Sequence, residues 1–204
     1  MAIIVQDSFT DVNGTPLASH TPEQGGAWTG DGIIISGNKA TNVPGMTHIN
    51  NISMPNNQYV KAEFYAQETN YNSVACSLIF RALDSLNYYE FLIQKVNATA
   101  VFAYPYKVVN GGRTLLAAAV GLDVTPSWVP VKAEVIGSAI NLYVNNILVN
   151  TINDSTFSSG KVGLHQEYPS SSYATGITYI DNFEAGSIIT PPSAPTNLTL
   201  ACGI

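Results

Sequence analysis

The reactive side chains of this 204-residue chain are fourteen acidic, eight basic and three histidine residues, with two cysteines. Cleavage of a glycosidic bond with retention needs two carboxyl groups about 5–5.5 Å apart. Acidic residues at alternate positions of one strand supply such a set, because residues i and i+2 share a face. Glu63, Glu90 and Glu134 each lack an acidic residue two positions away. The chain carries no Gly-x-Ser-x-Gly turn and no phosphate-cradling glycine loop. His20, His48, His165, Cys76 and Cys202 are scattered and form no zinc-ligand spacing. Enzymatic chemistry therefore has no visible seat, and the residues point to recognition instead.

Two groups could recognise a sugar. Arg81, Asp84, Tyr88 and Glu90 fall in two runs joined by a short turn. They form either a polar ledge for sugar hydroxyls or an internal cross-strand pair, Arg81 with Glu90, that pins a hairpin. Tyr104-Pro-Tyr106 and Tyr168-Pro, with Tyr173 nearby, read as loop aromatics. Such rings stack on apolar C–H surfaces while the hydroxyl stays wet, or they pack loops and interfaces. Trp28 and Trp128 read as core anchors.

These residues must be carried by strands. Val60, Ala62, Phe64 and Ala66 alternate with Lys61, Glu63, Tyr65 and Gln67. Val74, Cys76, Leu78 and Phe80 alternate with Ala75, Ser77 and Arg81, and Val129, Val131, Ala133 and Val135 with Pro130, Lys132 and Glu134. Period-2 patterning of this kind marks half-buried strands. Gly137-Ser138 and Asn145-Asn146 read as tight hairpin turns around Ile140, Leu142 and Val144, with a return strand through Ile147, Val149 and Thr151. Gly160 to Gln166 and Gly176 to Ala185 supply two more. About a dozen short strands with no fixed repeat predict an all-β, two-sheet antiparallel sandwich rather than a solenoid or propeller. Residues 1–186 form this domain. A proline-bearing tail, 187–204, reads either as linker or as an arm that docks on a neighbouring subunit through Leu198, Leu200 and Ile204.

Composition narrows the partners. The net charge is −6 and the basic residues are dispersed, which argues against nucleic acid. No run approaches the ~20 apolar residues of a membrane span. The opening Met-Ala-Ile-Ile-Val-Gln-Asp has neither a basic start nor a long apolar stretch, so no signal peptide is expected. The sequons at Asn13, Asn51, Asn97, Asn153 and Asn197 are then read as chance matches. Cys76 is expected to be a buried free thiol, with a bridge to Cys202 left open.

Three segments resemble the concanavalin A-like lectin/glucanase superfamily, especially its laminin-G-like members. They are Asp7-Ser-Phe-Thr-Asp11-x-Asn13-Gly14-Thr15 with His20-Thr-Pro-Glu and Gly25-Gly26-x-Trp28; Leu78-Ile-Phe80-Arg81-Ala-x-Asp84-x-x-Asn87-Tyr88-Tyr89-x-Phe91; and the stretch from Val131 through Tyr143-Val-Asn-Asn and Gly160-Lys-Val-Gly163-Leu to Tyr179-Ile-Asp181-Asn-Phe183. The resemblance implies a jelly roll. Asn146 stands where the hairpin often has glycine, a change the turn accepts. The glucanases' Glu-x-Asp-x-Glu strand and the alginate lyases' Gln-Ile-His motif are both missing; His165-Gln166 has the wrong order. Several such proteins bind calcium near the first and last strands, which implies Asp7 and Asp181 as ligands; turn and strand-end capping is the other role for these two. The opening also resembles bacteriophage surface modules, and Pro192 to Leu200 resembles the start of a fibronectin type III module. The expected function is a non-enzymatic virion module at the virion surface, a capsid decoration or tail/fibre protein. It would dock on other virion subunits or on itself as a homo-oligomer, and adhere to a cell-surface glycan. The alternative is an extracellular carbohydrate-binding lectin module of a larger bacterial surface or polysaccharide-degrading protein.

Overall fold

The computed structural model describes residues 1–42, 46–67, 74–95, 99–123, 128–167 and 177–189. The strands are β1 (Ala2–Asp7), β2 (Trp28–Thr29), β3 (Ile33–Ile35), β4 (Ala40–Asn42), β5 (Met46–Asn50), β6 (Gln58–Gln67), β7 (Val74–Asp84), β8 (Asn87–Lys95), β9 (Ala100–Val109), β10 (Gly112–Leu115), β11 (Val120–Asp123), β12 (Val129–Ile136), β13 (Ala139–Val144), β14 (Ile147–Asn153), β15 (Lys161–Glu167) and β16 (Ile177–Ser187), with a 3-10 turn at Leu17–Ser19. They form two sheets. Sheet A runs β14-β13-β12-β6-β16-β4-β3 with β1 added to β16; sheet B runs β10-β9-β8-β7-β15-β5-β2 with β11 added to β9. The all-β sandwich expected from the alternation is the observed fold. No helix among the described residues is long and apolar enough to cross a membrane.

The inner faces are the apolar halves of the alternating runs. Val60, Ala62 and Phe64 of β6, Val131, Ala133 and Val135 of β12, and Ile140, Leu142 and Val144 of β13 form one core with Cys76, Leu78 and Phe80 of β7, Tyr89, Phe91 and Ile93 of β8, and Val162 and Leu164 of β15. Each large side chain so buried contributes about 1.5–3 kcal/mol. Cys76 is a buried free thiol, and burial pushes it well above the ordinary thiol range, which makes it unreactive. Cys202 lies outside the described residues. The predicted turns are in place: Asn145 and Asn146 both take positive φ, 50° and 62°, as a two-residue hairpin needs.

Three features depart from simple alternation. The pairing of β7 with β8 slips between Phe80 and Asp84, and Arg81 at the slip has φ 48°. The Cβ of Arg81 is thereby redirected, because a bulge changes which face a side chain occupies. Second, Tyr104-Pro-Tyr106 is strand, not loop: it lies within β9. Pro105 is tolerated because β9 pairs with β10 through Tyr106–Val109 and with β11 through Ala100–Ala103, so proline falls between the two partners. Its carbonyl accepts from Leu116 N at 2.9 Å on that side. Third, β16 continues through Ser187, paired with Ala2 and Gln58, and Ile188 N donates to Asn57 O. The boundary expected at residue 186 thus cuts a strand. Residues 190–204, and with them the docking arm, lie outside the described residues.

Beside the slip, β15 approaches so closely that a Cβ on Gly160 would stand 2.4 Å from the Arg81 carbonyl carbon and 2.6 Å from Ala82 O, at φ 147°. Both obstacles are backbone and cannot swing away. Gly14, at φ 90°, has nothing within 4 Å of its virtual Cβ. Gly160→Ala is therefore expected to destabilise by about 3 kcal/mol or more, and Gly14→Ala by about 1 kcal/mol from backbone strain alone. Urea midpoints measure both; equal losses would contradict the close approach.

Candidate functional site

The outer face of sheet B carries the richest chemistry. Tyr104 and Tyr106, two apart on β9, project to that face with rings 6.0 Å apart and nearly parallel at 10°. Phe102 extends the row, 6.2 Å from Tyr104. All three are half-buried. Across the strand from Tyr106 lies Glu90 of β8. Its carboxylate is buried and takes a bidentate pair from Arg113 of β10, Nε to Oε2 at 2.8 Å and Nη2 to Oε1 at 2.9 Å. Ser77 Oγ donates to the same carboxylate at 2.7 Å. Arg113 Nη1 reaches Glu167 of β15 at 2.7 Å, and its guanidinium lies 5.6 Å from the Tyr106 ring centre. Burial alone would lower the Arg113 pKa, but Glu90 and Glu167 reverse this and hold it above its ordinary value. Further along, Thr47 Oγ1 and His165 Nδ1 are 2.8 Å apart, and burial depresses His165 so that its ring is neutral near pH 7.

This face can hold a ring-shaped, hydroxylated ligand. The aromatic row offers apolar surface, and Arg113, Glu167, Thr47 and His165 offer oriented polar groups beside it. Both carboxylates are tied to one guanidinium.

The structure redistributes the residues expected to bind sugar. Tyr104 and Tyr106 are on the site. Tyr88 faces the same way, but it is buried in a small apolar cluster with Ile49, Ile79, Ala82 and Val108. Asp84 closes the β7–β8 turn, accepting from Leu86 N at 2.7 Å and Asn87 Nδ2 at 3.0 Å. Arg81 is not on this face; the slip turns it inward to 1 % exposure. The Arg81–Glu90 pair does not form, and Arg113 takes Glu90 instead. Arg113 and Glu167 went unrecognised in the sequence because 54 residues separate them and only strand order brings them together. Tyr168 and Tyr173 lie outside the described residues. Trp28 is the expected core anchor, whereas Trp128 is only half-buried; its ring lies 5.6 Å from Tyr65, which is 6.2 Å from Tyr179. Tyr65 alternates with the inward residues of β6, so this group lies on the outer face of sheet A.

Asp7 is not arranged as a calcium ligand. Its Oδ1 accepts from Phe9 N at 2.7 Å and meets His20 Nε2 at 3.0 Å, and its Oδ2 accepts from Trp28 Nε1 at 2.6 Å. A cation there would face N–H groups rather than oxygens. Asp181 accepts from Asn182 N at 2.7 Å, the capping role. Among the described residues no three His, Cys, Asp or Glu side chains cluster to hold a metal.

Comparison with known proteins places this geometry. No protein-family model matches the chain, and no curated protein matches it. Among solved structures, the carbohydrate-binding module CBM66 from Bacillus subtilis aligns at 15% identity over 91% of this chain and 97% of its own, with a TM-score of 0.56. A β-glucanase from Bacillus licheniformis aligns at 12% identity over 90% and 97%, TM-score 0.56. The κ-carrageenase of Pseudoalteromonas carrageenovora, solved with an oligotetrasaccharide, aligns at 13% over 90% and 94%, TM-score 0.55. The chain has the concanavalin A-like jelly-roll fold. These likenesses lend no support to the virion expectation.

Two outcomes follow from the charge networks. His20 touches Asp7 through Nε2 and Asp11 through Nδ1, each at 3.0 Å, and Glu23 adds charge nearby. Burial alone would lower its pKa, but the Asp11 bond and the Asp7 charge raise it above 6.5. A raised histidine contributes stability that is complete below its unfolded pKa and is lost as pH rises through the folded one. Denaturant stability should fall as pH rises above about 6.5 through the raised His20 pKa, and His20→Gln should flatten that slope; an unchanged slope would rule out His20 as its source. For the second network, Arg113→Ala leaves Glu90 buried without its cation and should lose about 2 kcal/mol. Adding Glu90→Gln should recover part of that loss, as a double-mutant cycle reads directly.

Proposed function

We propose that this protein is a carbohydrate-binding module that holds a glycan on the outer face of sheet B without cleaving it. The observation that carries this reading is the row Phe102, Tyr104 and Tyr106 beside the Arg113–Glu90–Glu167 network. A flat apolar strip next to fixed hydrogen-bonding groups matches a sugar ring, whose face is C–H and whose rim is hydroxyl. The fold neighbours include a binding module and glycanases, which supports a saccharide partner while leaving open whether bonds are broken. Non-cleavage rests on this chain's own residues. Retaining and inverting glycosidases both need one carboxylic acid that delivers a proton, and here Arg113 engages Glu90 and Glu167 together.

A glycan array with the purified, folded protein should show saturable binding to one glycan class. Tyr106→Ala should weaken that binding about tenfold while the protein still unfolds in one cooperative transition, since a stacking ring contributes about 1 kcal/mol or more to a ligand. Incubation with the bound glycan should release no reducing or unsaturated ends. Release of either would make the protein an enzyme, and a blank array would overturn the glycan reading.

A further inference from the structure

We propose that the pocket at the Arg81 end of the sandwich is a binding site for an oxyanion, with Arg81 as its cationic floor. Arg81 is 1 % exposed, and its φ of 48° lies where a bulky L-residue is seldom found. The chain thus accepts backbone strain to turn a charged side chain inward. Strained backbone of this kind concentrates at functional positions.

The guanidinium is only partly satisfied. Nη1 donates to Phe157 O at 2.9 Å and Nη2 to Asn56 O at 2.7 Å. Nε is buried and has no partner. No carboxylate among the described residues forms an ion pair with Arg81, in contrast to Arg113, which has two. A buried cation with neutral partners alone is unfavourable, and an anion relieves it. Arg81 lines a pocket of about 550 Å³ together with Asn56, Asn57, Ser138, Ser155 and Ser158. That volume is within the range of small-molecule sites. None of the described residues lining the pocket is acidic, and its hydroxyls and amides can complete the shell of a carboxylate, sulfate or phosphate group.

The site is separate from the aromatic row and stands whether or not that row binds sugar. Two sources could supply the oxyanion: a free inorganic anion, or an acidic sugar bearing a carboxylate. Thermal unfolding is to be followed in sodium sulfate, sodium phosphate and sodium glucuronate, each against sodium chloride at equal ionic strength. The wild-type melting temperature should rise along a saturating curve, because ligand binding to the native state stabilises by mass action. Arg81→Met should keep only the unsaturating rise that excluded salts give any protein. Should Arg81→Met fail to fold, Ser158→Asp, which brings a carboxylate to the pocket wall, should lose the saturating component. Saturation by sulfate or phosphate alone identifies an inorganic-anion site, and saturation by glucuronate a sugar-acid site. Tyr106→Ala should retain the shift, which separates this site from the glycan face. A saturating curve that persists in the folded Arg81 or Ser158 variant, or no saturating component with any of the three anions, overturns the proposal.

Discussion

The hydrogen bond from Trp28 to Asp7 ties the two sheets together, and much of the fold follows from it. Asp7 ends β1, paired with Phe183 in sheet A, while Trp28 begins β2, paired with Asn50 in sheet B. The carboxylate is fully buried and survives there because Phe9 N, His20 and Trp28 all face it. To aim Phe9 N at Asp7 the backbone enters positive φ at 51°, and the same twist buries the Phe9 ring 6.2 Å from Trp28. Phe183 closes the other side of Trp28 at 5.2 Å in an edge contact. A polar contact thus sets the position of the largest aromatic residue in the core, and that residue sets the spacing of the sheets around it. A second clamp works the same way. Tyr89, inward on β8, gives its hydroxyl to Asp154, which Lys107 also binds at 2.8 Å, and burial with this acidic neighbour pushes the phenol up to about 12.

With the inner faces committed to packing, the outer faces are free to vary, and here they differ sharply. On sheet A, Lys61, Glu184, Lys132 and Glu134 pair at short range, Lys132 lying 4.2 Å from the Tyr143 ring centre. On sheet B, one arginine gathers carboxylates from two other strands beside a row of rings. Partly exposed pairs contribute little to stability. The buried Glu90 carboxylate is different, because removing its cation leaves a charge with no solvent to receive it. Arg113 therefore contributes more to the fold through Glu90 than through the more exposed Glu167.

Much of this was legible in the sequence. Strand period shows on the page wherever one face is buried, so β6, β12 and β13 and their turns follow from alternation and from Gly137 and Asn145-Asn146. Where the structure differs from the reading of the sequence, the reason is local. Counting along β7 puts Arg81 on the outer face, but the pairing becomes irregular after Phe80 and the alternation that the count relies on ends there. Tyr104-Pro-Tyr106 reads as a loop, yet it lies within β9, where Pro105 sits at the gap between two partner strands. Trp128 was assigned to the core on size alone, although it precedes the inward Val129 and so belongs to the opposite face. For Asp7 the sequence leaves metal ligand and cap open, because it does not show that Phe9 N and Trp28 Nε1 are the neighbours of the carboxylate. Pairwise partners such as Arg113 with Glu167 depend on strand order, which alternation does not encode.

The same sandwich serves glycanases and a binding module, so the fold leaves the step from holding to cutting undecided. What separates the two is the state of the carboxylates that would face a sugar. A catalytic acid needs an environment that keeps its proton near neutral pH, which means burial without a nearby cation. Glu90 is buried, and a bidentate guanidinium and a serine hydroxyl already engage its two oxygens. A carboxylate so held can accept a further hydrogen bond through whatever lone pair remains, and it orients Arg113 to donate another. On the reading proposed above, the contacts that fix the polar groups of this face for a ligand are the same ones that commit both carboxylates to Arg113.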